Sequence, residues 1–153
     1  MGAQTALALA TAEPAQLILQ GRSESKVEPV IDEIKRINPN IKLTYAGIDL
    51  SAIEHVRKGA AELNKSVDHI DILINNAGIM AVKEFTKSVD GIESQFATNH
   101  IGHFLLTNLI LNKLVKAGKG ARIINLTSDG HRLGHFRGDD YNFEVSYRSR
   151  VYH

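Results

Sequence analysis

The sequence of 153 residues contains no cysteine. This absence excludes disulfide bonds, thiolate metal sites and cysteine nucleophiles, and it fits a cytoplasmic location. An excess of charge of one sign is missing too, because 18 lysines and arginines nearly balance 17 aspartates and glutamates, with a formal charge of +1. We therefore expect no broad surface for nucleic acid, although a narrow basic spot could still bind a phosphate.

Long apolar segments are also lacking. Residues 1–10 are apolar, but they have no basic region before them, and Glu13 and Pro14 end the stretch before it could span a bilayer. We therefore expect neither a signal peptide nor a membrane segment. The stretch is instead expected to form an alanine-rich helix that opens the fold.

No repeat, low-complexity tract or linker divides the chain, so we expect a single domain over residues 1–153. Short apolar runs alternate with longer stretches in which apolar residues recur every three or four positions. The pattern predicts four strands, at about 16–20, 41–46, 70–74 and 122–127, separated by helices at about 3–12, 23–37, 51–67 and 92–116. Strands that suggest burial on both faces and alternate with helices predict a doubly wound α/β fold with a parallel sheet.

Two helices have specific boundary signals. Ser51, with Glu54 three residues later, has the form of a capping box, which predicts a helix that reaches about Val67. A long apolar periodicity predicts one continuous helix from near Ile92 to Lys116, and the glycines of the following segment end it.

Polar residues lie at or just after three predicted strand ends. They are Asp49, the segment Asn75 to Gly78, and Ser128. Ligands of such sheets bind beyond the carboxyl ends of the strands. The shared position of these residues therefore predicts a binding site at this edge of the sheet.

The clearest motif is Asp71-Ile-Leu-Ile-Asn-Asn-Ala-Gly78. Its last four residues alone could be a simple turn, since asparagine and glycine are common turn formers. As a whole it resembles the corresponding segment of the short-chain dehydrogenase/reductase family, which has a Rossmann-like fold. The resemblance implies that Asn76, Ala77 and Gly78 lie against the adenosine and ribose of a nicotinamide cofactor.

Two further segments bear on the cofactor. Arg22 follows the first visible strand, where an arginine fork suits a phosphate and no acidic residue is present to bind a ribose hydroxyl. This favours NADP over NAD, and the alternative is an ordinary solvated arginine. Asp49 and Leu50 match the family position that contacts adenine, and here the alternative is an aspartate at a helix entry.

Two residues match the catalytic part of the family pattern. Asn99 and Gly102 are both poor choices inside a helix, and the resemblance implies that Asn99 anchors a water in the proton-relay path. The alternative is a surface amide beside a close-packing glycine.

Asn125-Leu-Thr-Ser128 resembles Asn-x-Ser-Ser, in which the second hydroxyl polarises the substrate carbonyl, so Ser128 is the candidate for this role. A strand-end hydroxyl is otherwise usually a cap. Residues 129–132 are similar to the retinol-dehydrogenase-like and related fungal branch.

Two histidine pairs have helical spacing and could therefore be considered as metal ligands. They are His100 with His103 and His131 with His135. Neither pair has a third ligand at a telling distance, and no His-Glu-x-x-His segment occurs. We therefore expect no metal site.

Two parts of the family pattern are not intact. The first strand and its Thr-Gly-x-x-x-Gly-x-Gly turn are represented by Gly2 alone, so the centre of the sheet is expected to have a gap with unpaired backbone groups. The Tyr-x-x-x-Lys pair is also absent, because none of Tyr141, Tyr147 and Tyr152 is followed by lysine four residues later. The resemblance therefore suggests a chain truncated at both ends.

By this resemblance the protein is expected to be an oxidoreductase that transfers a hydride between NADP(H) and a carbonyl or secondary alcohol of a small-molecule substrate. Little turnover is expected, because the tyrosine that transfers the proton is missing. The alternative is a non-catalytic nucleotide-binding or interaction fragment. The family also implies that a complete domain could form a homodimer through its long helix.

Overall fold

A computed structural model describes residues 1–134 and 138–145. The chain divides into two compact units at Asp49, and each unit contains its own pair of strands. Both pairs are parallel, and helices separate the strands along the chain. The predicted α/β class with parallel strands is therefore confirmed.

The first unit consists of α1 (Gly2–Ala10), β1 (Gln16–Gly21), α2 (Glu24–Ile37) and β2 (Lys42–Gly47). Each of these elements lies within two residues of its predicted bounds. The two strands pair in parallel, from Gln16 opposite Lys42 to Gly21 opposite Gly47.

The core of the first unit is a small cluster of aliphatic side chains. Ala6 and Ala10 of α1 are buried against Ile34 of α2 and Ile41, which directly precedes β2. Alanines at a four-residue step place only methyl groups on one face of α1, so that this helix can pack closely on its neighbours. Each fully buried isoleucine contributes about 1.5–3 kcal/mol through the removal of apolar surface from water.

The second unit contains helices, two strands and two short 3-10 turns. In chain order they are α3 (Ile53–Ser66), β3 (Ile72–Asn75), α4 (Ser94–Phe96), a π-helical segment (Ala97–Ile101), α5 (Gly102–Leu109), α6 (Leu111–Ala117), β4 (Arg122–Asn125) and the turns Asp129–Leu133 and Gly138–Asp140.

The helix predicted to follow Ser51 is present as α3, but its N-cap residue is Ala52 rather than Ser51. Helix α3 begins at Ile53, and the residue before it, Ala52, has no side-chain acceptor. The backbone N–H of Ile53 instead donates to the carboxylate Oδ2 of Asp90 at 2.8 Å. A distant loop therefore stabilises this helix start, and no local spacing could have shown it.

The helix predicted over 92–116 is present but not continuous. Its central turns are π-helical over Ala97–Ile101, and the chain leaves helical geometry at Ile110, whose φ is −110° and ψ is 8°. The Nδ2 of Asn64 on α3 donates to the carbonyl of Leu109 at 2.8 Å. This bond satisfies one of the acceptors that a helix leaves open at its end.

The two sheets have open edges. In the part of the chain that the structure describes, β1 pairs with β2 alone and β3 with β4 alone. Burial of the strands on both faces is not observed for β4, where Ile123 and Ile124 are 41% and 42% exposed, because β4 has one neighbouring strand. Within the same residues, no helix is long and apolar enough to cross a membrane.

Candidate functional site

A basic depression lies at the carboxyl end of β1. It has a volume of about 470 Å³, and Gly21, Arg22, Ser23, Lys26 and Val27 line it. Arg22 and Lys26 are both exposed, and the start of α2 lies beside them. Two cations at a helix N-terminus form a suitable environment for a phosphate group.

Gly21 allows α2 to begin close to the strand. A Cβ at this position would lie 2.8 Å from Cγ2 of Val27, which is too close for any residue but glycine without a shift. The hydroxyl of Tyr45 on β2 donates to the carbonyl of Gly21 at 2.8 Å. Lys26 was not selected from the sequence, although its position four residues after Arg22, near the start of a predicted helix, was a signal for it.

Asp49 and Leu50 follow β2. Asp49 is half-buried, whereas the side chain of Leu50 is buried. A Cβ on Gly102 of α5 would lie 2.2 Å from the carbonyl oxygen of Leu50, so the two backbones are in direct contact there. Leu50 therefore has a packing role in this structure, and the close-packing glycine proposed as an alternative beside Asn99 is present.

Asn75 ends β3 and is the most buried residue of its motif, with 6% exposure. Its Nδ2 donates to Oδ1 of Asn125 on β4 at 2.7 Å and to Oγ1 of Thr107 on α5 at 3.1 Å. The side chain thus ties both strands to the helix. Sequence reasoning placed Asn75 in the motif but missed Thr107, for which no local pattern was available.

The next three residues form the loop that the resemblance assigns to the cofactor. Ala77 and Gly78 are exposed, whereas Oδ1 of Asn76 is buried and has no hydrogen-bond partner among the described residues. A buried acceptor without a donor is costly, because it has lost its hydration without compensation. A donor from a bound ligand or water would satisfy it.

Asn99 holds the end of this loop. Its Oδ1 accepts from the N–H of Ile79 and its Nδ2 donates to the carbonyl of the same residue, both at 2.8 Å. A Cβ on Gly78 would lie 3.1 Å from that Oδ1. The structure therefore brings Gly78 and Asn99 together, and it places Asn99 in the π-helical segment, a geometry often found at functional sites.

Ser128 lies after β4 and caps the following 3-10 turn. Its Oγ accepts from the N–H of Gly130 at 3.1 Å, which is the bond expected of a serine that caps a helix, the alternative role stated for Ser128. A hydroxyl that accepts one bond can still donate its own proton, so capping leaves this function open. No hydrogen bond joins Ser128 to Asn99 or to residues 76–78 in the described part of the chain.

His100 of the π-helical segment packs with aromatic rings, and His103 of α5 is half-buried. His100 stacks on Phe96 with 5.4 Å between ring centroids and on Phe104 with 6.4 Å. Burial lowers the pKa of His103, a hydrogen bond to the backbone of Asn99 raises it, and the charge of His100 lowers it, with a lower value as the net result. Among residues 1–134 and 138–145, no three potential ligands form a metal cluster, and His135 lies outside them.

The remaining predicted residues lie at the ends of the chain. Gly2 is the first residue of α1, where backbone N–H groups have no intrahelical acceptor. Tyr141 is exposed, and its ring is tilted against Phe96 at 6.3 Å. Tyr147 and Tyr152 lie outside the described residues.

Residues 1–142 match the family model described as short chain dehydrogenase. The chain is 42% identical to human retinol dehydrogenase 13 (Homo sapiens) over 145 residues, which is 95% of this chain and 43% of that protein. It is 32% identical to the oxidoreductase fscI of Fusarium equiseti, covering 94% of this chain and 57% of the relative. The chain thus spans about half the length of these relatives.

Two solved structures show the same relationship in three dimensions. A protein of Mycobacterium paratuberculosis described as putative uncharacterized is 33% identical with a TM-score of 0.75, over 97% of this chain and 50% of that one. A metagenomic short-chain oxidoreductase, solved in complex with NADP, is 25% identical with a TM-score of 0.67, over 83% of this chain and 57% of that one. The doubly wound, Rossmann-like fold is therefore confirmed, and the chain belongs to the short-chain dehydrogenase family.

Proposed function

We propose that this chain binds NADP(H) as the nucleotide-binding part of an oxidoreductase that acts on a carbonyl or secondary alcohol of a small molecule. The observation that carries the proposal is the basic depression formed by Arg22, Ser23 and Lys26. Two cations and a hydroxyl match the charge and the acceptor oxygens of a 2′-phosphate, which NADP has and NAD lacks.

The loop of Asn76, Ala77 and Gly78 also fits a nucleotide. Asn76 has a buried oxygen that needs a donor, and the two small residues after it leave the backbone open to a flat ring. Asp49 would bind on the adenine side, and the first amides of α1, beginning at Gly2, would bind phosphate oxygens. The bound cofactor would supply the hydride chemistry.

Ser128 and Asn99 are the residues proposed for the catalytic part of the site. Ser128 would donate a hydrogen bond to a substrate carbonyl oxygen and so polarise it, while its Oγ accepts from the N–H of Gly130. Both polar atoms of the Asn99 side chain are bonded to Ile79, so its amide would act by holding the cofactor loop in place. Any contact of Asn99 with a relay water would then involve its backbone rather than its side chain.

We expect little or no carbonyl reduction by these 153 residues. Tyr141 and Tyr147 are followed four residues later by Val145 and Val151, so neither has the lysine that lowers the tyrosine pKa in the family pattern. Binding without turnover is therefore the expected behaviour. A cytoplasmic location remains a prediction.

An interaction role is the second candidate. The exposed isoleucines of β4 and the open strand edges favour it, because unpaired strands and apolar patches commonly bind other chains. Exposed Phe104 and Val115 on α5 and α6 would form part of the homodimer contact implied by the family. Such a fragment would bind a partner chain without needing the nucleotide.

Fluorescence titration with NADPH and with NADH separates these candidates. We expect NADPH to bind at least about tenfold more tightly than NADH, since one charge-assisted phosphate contact contributes about this much. Equal affinities would refute the preference for NADP, and no binding of either nucleotide would favour the interaction role. A parallel assay of carbonyl reduction with NADPH would contradict the expected lack of turnover if it showed robust activity.

A further inference from the structure

A short hairpin precedes the helix that contains Asn99. Over residues 86–94, the N–H of Ser88 donates to the carbonyl of Ile92 at 2.7 Å, and the N–H of Ser94 donates to the carbonyl of Thr86 at 2.9 Å. Gly91 turns the chain with a φ of 76°. We refer to residues 86–94 as the 86–94 hairpin.

The hairpin fixes the start of α4 through Glu93. This residue is only 2% exposed, and its carboxylate accepts from the N–H groups of Gln95 at 3.0 Å and Phe96 at 2.7 Å. A carboxylate at this position satisfies amides that the helix cannot satisfy itself. The helix continues directly into the π-helical segment with Asn99. The position of Glu93 therefore determines where that segment begins.

Asn142 binds the hairpin from a distant part of the chain. Its Oδ1 accepts from the N–H of Glu93 at 2.6 Å, and its Nδ2 donates to the carbonyl of Gly91 at 3.0 Å. The side-chain amide thus pairs with the backbone on both sides of one hairpin residue, as a neighbouring strand would. Asn142 follows Ser128 in the chain, so these bonds connect the segment after Ser128 to the start of the Asn99 helix.

An ion pair accompanies this contact. Glu144 accepts from Asn142 at 2.9 Å and from Nζ of Lys87 at 2.6 Å, and both charged side chains are substantially exposed. Exposed ion pairs contribute little, because water and salt screen them and both side chains lose entropy. The two amide–backbone bonds of Asn142, which is half-buried, are therefore the stronger part of the connection.

We propose that Asn142 is a positioning residue, which holds the 86–94 hairpin and, through Glu93, fixes Asn99 relative to the segment that follows Ser128. This inference rests on the proposed function, because it concerns the same site. Asn142 then acts on the hairpin as Asn99 acts on Ile79, by pairing one side-chain amide with two backbone groups. Among the described residues it makes no hydrogen bond to Ser128 or Asn99, and it acts through Glu93.

Nuclear magnetic resonance with amide hydrogen exchange tests the proposal on the whole chain. Asn142→Ala is expected to raise the exchange rates of the Glu93, Gln95 and Phe96 amides roughly tenfold, in line with the loss of two hydrogen bonds. It is also expected to shift the side-chain amide resonances of Asn99, a signature that a purely local role of Asn142 would not change. Unchanged Asn99 resonances, or unchanged exchange at Gln95 and Phe96, would overturn the proposal.

Two further variants sharpen this test. Asn142→Asp keeps the acceptor for the Glu93 N–H but loses the donor to Gly91, so we expect it to retain part of the protection, even if Asn142→Ala does not fold. Glu144→Gln removes the ion pair with Lys87 and is expected to leave the resonances of Asn99 unchanged. A larger effect of Glu144→Gln than of Asn142→Asp would assign the connection to the ion pair and contradict the proposal.

These measurements need no cofactor, so they separate the two proposals. Absence of NADPH binding by the unaltered chain would refute the proposed function, whereas the exchange rates would still decide the role of Asn142. Conversely, tight NADPH binding together with unchanged Asn99 resonances in Asn142→Ala would refute only the positioning role.

Discussion

Asn99 and Ile79 are joined by two hydrogen bonds of 2.8 Å, one to each polar backbone group of Ile79. The side-chain amide of Asn99 thereby acts like a short strand that pairs with the end of the loop of residues 76–78. Gly78 contributes to this arrangement, since a Cβ there would lie 3.1 Å from the same amide oxygen. The loop and the π-helical segment consequently hold each other in position.

Replacement of Asn99 by alanine should therefore loosen the loop. We expect a loss of about 1–2 kcal/mol in the free energy of unfolding, because two partly exposed hydrogen bonds are removed. NADPH affinity should fall as well, since Asn76, Ala77 and Gly78 would lose their support. Urea unfolding and fluorescence titration would measure the two effects.

Asn108→Ala is a matched control for this variant. Asn108 lies on α5, where its Nδ2 donates only one turn back, to the carbonyl of Phe104 at 2.8 Å. We expect it to leave NADPH affinity unchanged. If both asparagine variants lowered the affinity equally, the specific role of the Asn99–Ile79 pair would be disproved.

Gly102→Ala should be the most destabilising glycine substitution in the second unit. The added Cβ would lie 2.2 Å from the carbonyl oxygen of Leu50, and this backbone atom cannot turn away as a side chain could. Overpacking of this kind costs about 1–3 kcal/mol or more, despite the higher helix propensity of alanine. Thermal unfolding should show a clear decrease in Tm.

Gly134→Ala provides the comparison for Gly102. A Cβ at Gly134 would meet no atom of the described residues within 4 Å, and its φ of −105° suits any residue. We expect its Tm to stay close to that of the unaltered chain. A Tm for Gly102→Ala as high as that of Gly134→Ala would show that α5 does not pack on Leu50 as described.

The sequence was sufficient for the elements of the first unit. In α2, apolar residues recur regularly up to Ile37, and the apolar run of β1 ends at Gly21, so local periodicity marks these elements. The motif from Asp71 to Gly78 was equally visible, because its residues are contiguous. Such features depend on neighbours in sequence, which is the information that a single chain provides.

The features that the sequence did not predict depend on contacts between residues that lie far apart in the chain. Asp90 caps α3 from 37 residues away, and Asn64 binds the carbonyl at which α5 ends. Asn142 lies 49 residues from the Glu93 amide that it binds. No propensity or spacing reports these pairs, because each depends on the tertiary arrangement.

Arg22 and Lys26 should together determine the preference for NADPH over NADH. Arg22→Ala and Lys26→Ala are each expected to weaken NADPH binding about tenfold, the contribution of one charge-assisted hydrogen bond to a phosphate. NADH binding should change little, because NADH lacks the 2′-phosphate. The ratio of the two dissociation constants, measured for each variant, checks this expectation.

Arg57→Ala is the charge-matched control for these two variants. Arg57 is an exposed arginine of α3, and its replacement removes the same net charge. We expect an unchanged ratio of NADPH to NADH affinity. If this variant reduced the ratio as much as Arg22→Ala, the preference would come from overall charge rather than from the depression at β1.

His103 should make stability depend on pH in the weakly acidic range. Burial, the largest effect, lowers its pKa below the ordinary value of about 6.5, and the hydrogen bond to the backbone of Asn99 compensates only in part. Between the lowered pKa and 6.5 the unfolded chain binds more protons than the folded chain, so stability increases with pH there. The stability that depends on neutral His103 is therefore fully present above about pH 6.5, where His103 is neutral in both the folded and the unfolded chain. This stability is lost as the pH falls through the lowered pKa of His103.

Urea unfolding at pH 8 and pH 5, for the unaltered chain and for His103→Gln, would measure this dependence. Glutamine keeps a polar side chain but does not titrate, so the variant should lose less stability between the two pH values. The lowered pKa values of Asp68, caused mainly by Lys116, and of Glu144, caused mainly by Lys87, do not interfere, because carboxylates lose their contribution at lower pH. An equal loss in both proteins would show that His103 is not held in its neutral form by the fold.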